Sequence, residues 1–239
     1  MARRRFFVDA IRGGAAELRG YDARHLTRVL RAQPGQLYEI TDSRCAYLAE
    51  ISEARGDCVL FRVLEPVASP EPPVSITLLA ALIKFERFEW IIEKATELGV
   101  ERIQPVETAR SEKGLLGASQ KRAERWARIA KESSQQSRRL RAPGILPAAR
   151  FDAVLATAAG HRFILDEAAA PPLLRVVPSG VERSASVALL AGPEGGWTEM
   201  ERQQAVTVGW HPVSLSPYIL RTETAAAAAV AIVANAWCS

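Results

Sequence analysis

The sequence predicts an α/β fold with a mostly parallel sheet, preceded by a small β-barrel-like domain over residues 1–68. Three observations carry this. Val74–Leu82 is a continuous apolar run, the signature of a strand buried on both faces. From there onward, β-prone runs alternate with helical patterns, as in parallel sheets joined by helical crossovers. Between the two regions, Pro66, Pro70, Pro72 and Pro73 crowd one short stretch, which suits an extended linker better than a helix or a central strand.

Before the linker, Arg5–Val8, Leu37–Thr41, Ala46–Ile51 and Cys58–Leu64 read as short strands. One helix interrupts them, with Asp22 as its cap, Leu26, Val29 and Leu30 as an apolar face and Gly35 beyond its end. The second domain occupies 73–239. There Lys84–Leu98 reads as a helix with Phe85, Phe88 and Ile92 on one side and Gly99 as its stop. Strand Arg102–Val106 follows, then a basic helix over roughly Ser119–Arg138 anchored by Trp126 and Ile129. Arg162–Leu165, Val187–Ala191 and Pro212–Leu215 read as further strands. A capping box at Thr198–Glu201 opens a helix that stops near Gly209. The last helix runs from about Glu223 to Trp237, with Thr222 as its cap. Pattern alone would draw these elements as an open, doubly wound sheet, because connections seldom thread one another.

Composition narrows the class. The chain of 239 residues is 48% hydrophobic, and its longest apolar run, at Ala225–Ala234, is too short to span a bilayer. The basic N-terminus lacks a following apolar stretch of signal-peptide length, so the expectation is a cytoplasmic protein with no membrane association. Three dispersed cysteines and three dispersed histidines indicate neither a disulfide framework nor a metal site. The formal charge of +4 is unevenly spread: residues 1–35 carry +5, residues 110–150 carry +8, and the remainder carries −9. Such segregation is the footprint of a polyanion-binding surface.

Two junctions carry chemistry. Gly192-Pro-Glu-Gly-Gly196 lies where a buried strand ends and a capped helix begins, and ligands of open α/β sheets bind at the carboxyl ends of strands. The glycines let backbone approach a flat ligand and leave N–H groups free to recognise it. The spacing is not GxGxxG, since Glu194 stands where that motif needs glycine, which argues against a nicotinamide enzyme. Ile219-Leu-Arg-Thr-Glu-Thr-Ala225 is a second strand-to-helix junction, bringing Arg221, Thr222 and Glu223 to the same sheet edge. A cap and a favourable helix dipole account for Thr222 and Glu223, but not for Arg221 beside them.

Ordered motifs across most of the chain add a resemblance. RRFFV with HLTRVLRAQPG (25–35), KFERFEWIIEKATELGVERIQP (84–105) followed by Arg110-Ser111, SSQQSRRLRAP (133–143), LLAGPEGGWTEME (189–201) and ILRTETA (219–225) occur in sequence. The set resembles the RsmE-type 16S ribosomal RNA uridine-N3 methyltransferases, of the SPOUT class of knotted enzymes. Two departures stand out: Ser216-Pro217 precedes Tyr218 where the family motif opens Leu-Gly, and Ser133 and Ser134 replace acidic or alanine residues.

The resemblance implies a PUA-like β-barrel followed by a SPOUT domain with a C-terminal trefoil knot. It also implies S-adenosylmethionine as cofactor, 16S ribosomal RNA or the small ribosomal subunit as substrate, and a homodimer. Cofactor contacts would come from Leu165 and Leu190, from Gly192, Pro193, Glu194, Gly195 and Gly196, and from Leu215, Ile219, Leu220, Thr222 and Ala225. Uracil N3 carries a proton and is a poor nucleophile, so a base or a stabilising cation is needed. Arg221 is the candidate for stabilising the uracil anion, and Glu223 or Glu194 for proton removal. RNA contacts are expected from Arg3, Arg4, Arg5, Arg28 and Arg31, from Lys84, Arg87 and Arg110, and from Arg138, Arg139 and Arg141. The alternatives are a SPOUT methyltransferase for another RNA position and a non-catalytic RNA-binding assembly factor.

Overall fold

The computed structural model describes residues 4–70, 72–167, 170–178 and 185–236. Arg3, assigned above to RNA, and Trp237, at the expected end of the last helix, lie outside these residues. The chain divides into two compact units: Met1–Glu71 with Ser134–Ala142, and Pro72–Ser133 with Pro143–Ser239. A segment from the middle of the chain thus belongs with the N-terminal unit, which contiguous pattern reading does not reveal.

In the first unit, strands β1 (Arg5–Phe7), β2 (Ile11–Arg12), β3 (Ala15–Arg19), β4 (Leu37–Thr41), β5 (Ala46–Arg55) and β6 (Cys58–Val67) form one sheet in the order β1-β4-β5-β6-β3-β2. Only β1–β4 is parallel. Phe6, Leu18, Leu26, Ile40, Ile51, Val59 and Phe61 fill its core. The interrupting helix departs from expectation. It starts earlier, as α1 (Gly20–Arg24), and continues as a π-helical turn over His25–Val29. Arg19, not Asp22, occupies its N-cap, and Val29 and Leu30 are exposed rather than core. The wider π turn rotates the following residues off the apolar stripe that a regular helix would align.

The segment Ser134–Ala142 is tied to this sheet by polar contacts. Thr41 Oγ1 donates to Leu140 O at 3.3 Å, and Arg141 Nε donates to Ser43 O at 2.8 Å. Arg5 is buried beneath, its guanidinium 2.9 Å from Glu39 Oε2 and 2.7 Å from Ser69 Oγ, while Arg138 reaches Glu39 Oε1 at 3.4 Å.

The second unit holds β7 (Ser75–Ala81), α2 (Phe85–Glu97), β8 (Arg102–Glu107), α3 (Leu115–Ser119), α4 (Ala123–Gln136), β9 (Gly144–Ile145), β10 (Ala149–Arg150), α5 (Phe151–Val154), β11 (His161–Leu165), α6 (Leu173–Val176), β12 (Ser186–Ala191), α7 (Glu199–Thr207), β13 (His211–Val213) and α8 (Thr222–Ala236). Its sheet runs β10-β8-β7-β12-β11-β13, with β9 beside β8, and every pairing is parallel. Both faces are covered, which explains the unbroken apolar runs of β7 and β12. Leu78 and Leu189 pack on the side of α2 and α8 with Phe88, Ile92, Trp126 and Val230. Their neighbours Leu79 and Leu190 point the other way, onto Ile164, Trp197, Ala205 and Trp210.

Two of the helices have clear local boundaries. Thr198 accepts from Glu201 N while Glu201 accepts from Thr198 N, a complete capping box for α7. Gly99 closes α2 with φ +98, a conformation costly for residues bearing Cβ. α2 and α4 lock through Phe88 and Trp126, ring centroids 4.8 Å apart, and through Arg125, which donates twice to Glu89 at 2.6 and 2.7 Å. After β13 the chain returns to lay α8 against α2, β7 and β12. No helix of the described residues is long and apolar enough to cross a membrane.

Candidate functional site

The parallel sheet aligns the carboxyl ends of β11, β12 and β13, and a cleft opens there. Its walls come from three segments. Leu165, Asp166 and Glu167 leave β11; Gly192, Pro193, Gly196 and Trp197 leave β12; Val213, Leu215, Ser216, Tyr218, Leu220, Thr222 and Ala225 lead from β13 into α8.

Trp197 organises the first loop. Its indole is buried, and Nε1 donates to Leu165 O at 2.8 Å, joining the ends of β11 and β12. A Cβ on Gly192 would lie 2.9 Å from Trp197 Cε2, so the glycine is required by the packed indole. Gly196 adopts φ +69, and a Cβ there would stand 3.0 Å from Glu167 Oε1. Arg110 Nη1 donates to Gly195 O, and Glu201 Oε1 accepts from Ala109 N at 2.8 Å, fastening the loop to the segment after β8. Arg202 pairs with Asp166 at 2.9 Å, and that partner raises the guanidinium's pKa.

The second loop is built differently. Ser216 Oγ accepts from Tyr218 N at 3.1 Å, a local turn made by the residue that departs from the family pattern. Tyr218 and Ile219 are exposed. Arg221 is also exposed, and its carbonyl accepts from Ala225 N, placing it at the head of α8. Glu223 has one buried carboxylate oxygen, Oε2, without a hydrogen-bond partner.

Of the residues singled out for the cofactor, Leu165, Gly192, Pro193, Gly196, Leu215, Leu220, Thr222 and Ala225 meet in the cleft wall, while Leu190, Glu194, Gly195 and Ile219 do not line it. Leu190 is wholly buried under Trp197 and Ile164. The Glu194 carboxylate pairs with Arg87, so these two residues, expected to act on proton and phosphate, are neighbours. Sequence reading missed Asp166, Glu167, Val213 and Tyr218 as wall residues, and quoted Trp197 and Ser216 without assigning them to the site. Asp166 and Glu167 carried a usable signal, since they follow a predicted strand at its carboxyl end.

Among the basic residues, Lys84, Arg110, Arg28 and Arg31 are exposed, as is Arg141 despite its bond to Ser43 O. Arg4 is partly buried, with Nη1 3.2 Å from His25 Nε2. Arg139 is partly buried, and its backbone N–H donates to Ser134 O. Arg5 is 2% exposed and held by Glu39, so its charge is not presented to a polyanion, and its expected RNA contact is replaced by a structural role.

A family model described as an RNA methyltransferase domain matches residues 70–234, which cover this whole α/β unit up to the last turn of α8; the class is thereby an RNA methyltransferase. The ribosomal RNA small subunit methyltransferase E of Synechocystis sp. is 36% identical over 213 residues, covering 87% of this chain and 68% of that protein. Its counterpart from Mycobacterium bovis is 31% identical over 245 residues, covering 95% and 90%. The chain belongs to the ribosomal RNA small subunit methyltransferase E family. Among solved structures, that enzyme from Neisseria gonorrhoeae, described as bound to S-adenosyl methionine, superimposes with TM-score 0.87 at 30% identity over 99% of this chain and 98% of that one. A methyltransferase structure from Legionella pneumophila in complex with the same cofactor gives TM-score 0.88 at 27% identity, covering 98% and 97%. The α/β fold with its parallel sheet, expected from the SPOUT resemblance, is the fold these structures share.

Proposed function

We propose that the protein transfers a methyl group from S-adenosylmethionine to N3 of a uridine in the 16S RNA of the small ribosomal subunit. The observation that carries this reading is the cleft at the ends of β11, β12 and β13, assembled from the two loops that match the family motifs. Its wall fits the cofactor: Leu165, Leu215 and Leu220 offer apolar surface for a flat base, and Gly192, Pro193 and Gly196 bring loop backbone to the cleft. The cofactor supplies a methyl group already activated by its sulfonium, so the protein's work is alignment and charge control.

Three side chains divide that work. Arg221, exposed at the head of α8, stabilises negative charge as uracil N3 loses its proton. Glu223, in the first turn of α8 with an unsatisfied buried oxygen, is the proton acceptor. Glu194, paired with Arg87, positions the glycine loop. The same reading makes residues 187–225 the knotted portion, the first unit the PUA-like RNA-binding domain, and the protein a cytoplasmic homodimer.

Methylation of small-subunit RNA from cells lacking the enzyme tests the assignment. Arg221→Ala and Glu223→Gln each lower the single-turnover rate by about 10²-fold or more. Near-normal turnover by Arg221→Ala overturns its role, and methylation at a position other than uridine N3 overturns the substrate.

A further inference from the structure

Among the described residues, two charged ones line the cleft, and both are acidic: Asp166 and Glu167. Asp166 is already committed, its side chain 5% exposed, its Oδ2 accepting from Arg202 Nε at 2.9 Å and its N–H donating to Val213 O. Glu167 is exposed and makes no hydrogen bond with another described residue, although its charge lends electrostatic support to Arg202. Its Oε1 lies 3.0 Å from the position that a Cβ on Gly196 would take.

Gly196 lies beside that carboxylate. Its φ of +69 favours a residue without Cβ, and the Glu167 oxygen stands 3.0 Å from where a Cβ would be. An exposed carboxylate at the mouth of a glycine loop, with the neighbouring acid already paired to arginine, presents two acceptor oxygens side by side. Vicinal hydroxyls match that fork, and acidic residues at strand ends of α/β ligand clefts take ribose hydroxyls for this reason.

We propose that Glu167 holds the ribose diol of S-adenosylmethionine. The proposal rests on the cofactor reading above and adds a recognition residue outside both family motifs.

Calorimetric titration separates the two readings. The ligands are S-adenosylhomocysteine and its 2′-deoxy form, and the proteins are the intact chain and Glu167→Gln. Removing the carboxylate or the hydroxyl weakens binding about tenfold, and removing both weakens it no further than either alone. Multiplying losses, or no loss in Glu167→Gln, overturn the assignment to the diol. Failure of the unaltered protein to bind S-adenosylhomocysteine overturns the cofactor reading itself. Glu167→Asp, which keeps the charge but withdraws the oxygens, shows the same coupling and serves if the amide variant is unstable.

Discussion

The indole of Trp197 lies against Gly192 and donates through Nε1 to the carbonyl oxygen of Leu165 at 2.8 Å. One side chain thus ties the loop after β12 to the end of β11, beside the cleft. Gly192→Ala places a methyl group 2.9–3.2 Å from three indole atoms, closer than packed carbon atoms sit. The variant loses about 1–3 kcal/mol in urea denaturation and binds S-adenosylhomocysteine more weakly in calorimetry. Unchanged values in both measurements would falsify this account of the glycine.

Trp197→Phe makes a separate prediction. It keeps most of the apolar contact with Phe151 and Leu190 but leaves the Leu165 carbonyl without its donor. The expected loss is about 1–3 kcal/mol, larger than a simple change of ring size would bring. Amide exchange at the end of β11 quickens in this variant; unaltered exchange there counts against the tether.

Arg5 and Glu39 are side chains 3% and 8% exposed, joined at 2.9 Å and supported by Arg138. Breaking one half of a buried ion pair strands the other, at about 3–5 kcal/mol. Arg5→Ala should accordingly lower the thermal midpoint sharply. A full-stability Arg5→Ala with weakened RNA binding would restore the expectation that Arg5 reads phosphate.

Arg28 and Arg31 give the opposite outcome. Both are exposed, and their replacement by Ala leaves stability unchanged. If they contact phosphate, the slope of log affinity against log salt falls by about 0.7–0.9 for each residue. An identical slope in the double variant removes this turn from the RNA-binding surface.

The Cys58 thiol donates to Glu17 Oε1 at 2.9 Å, and that carboxylate raises the thiol's pKa. A raised thiol pKa means a stabilising contribution present below the unfolded value, about 8.5, and lost as pH rises through the folded value. Near pH 8 the thiolate is therefore scarce, and Cys58 reacts slowly with iodoacetamide. Glu17→Gln speeds that labelling, as peptide mass spectrometry would show; no acceleration means the carboxylate does not control the thiol.

Much of the architecture was legible because it is encoded over short spans. Leu37–Thr41 folds as the strand expected, and Thr198–Glu201 as the capping box expected, since alternation and capping involve residues a few positions apart. β3 escaped notice. Ala15–Arg19 has weak β-propensity and becomes a strand because β6 pairs with it, Leu18 opposite Val59. The glycine loop and the head of α8 were legible as ligand-facing junctions, but their meeting in one cleft required the order β12-β11-β13.

By itself, then, the sequence determined most of the longer elements, the parallel sheet buried on both faces, the two loops and the family that pairs them. These depend on periodicity, caps and motif order, all properties of neighbouring residues. Only the tertiary structure decided that Arg5 is an internal ion-pair partner, that Glu194 meets Arg87, and that Glu167 stands over Gly196. A charge looks the same in sequence whether solvated or buried. Its role is set by which distant segment meets it, and Glu39 lies 34 residues from Arg5 and 99 from Arg138.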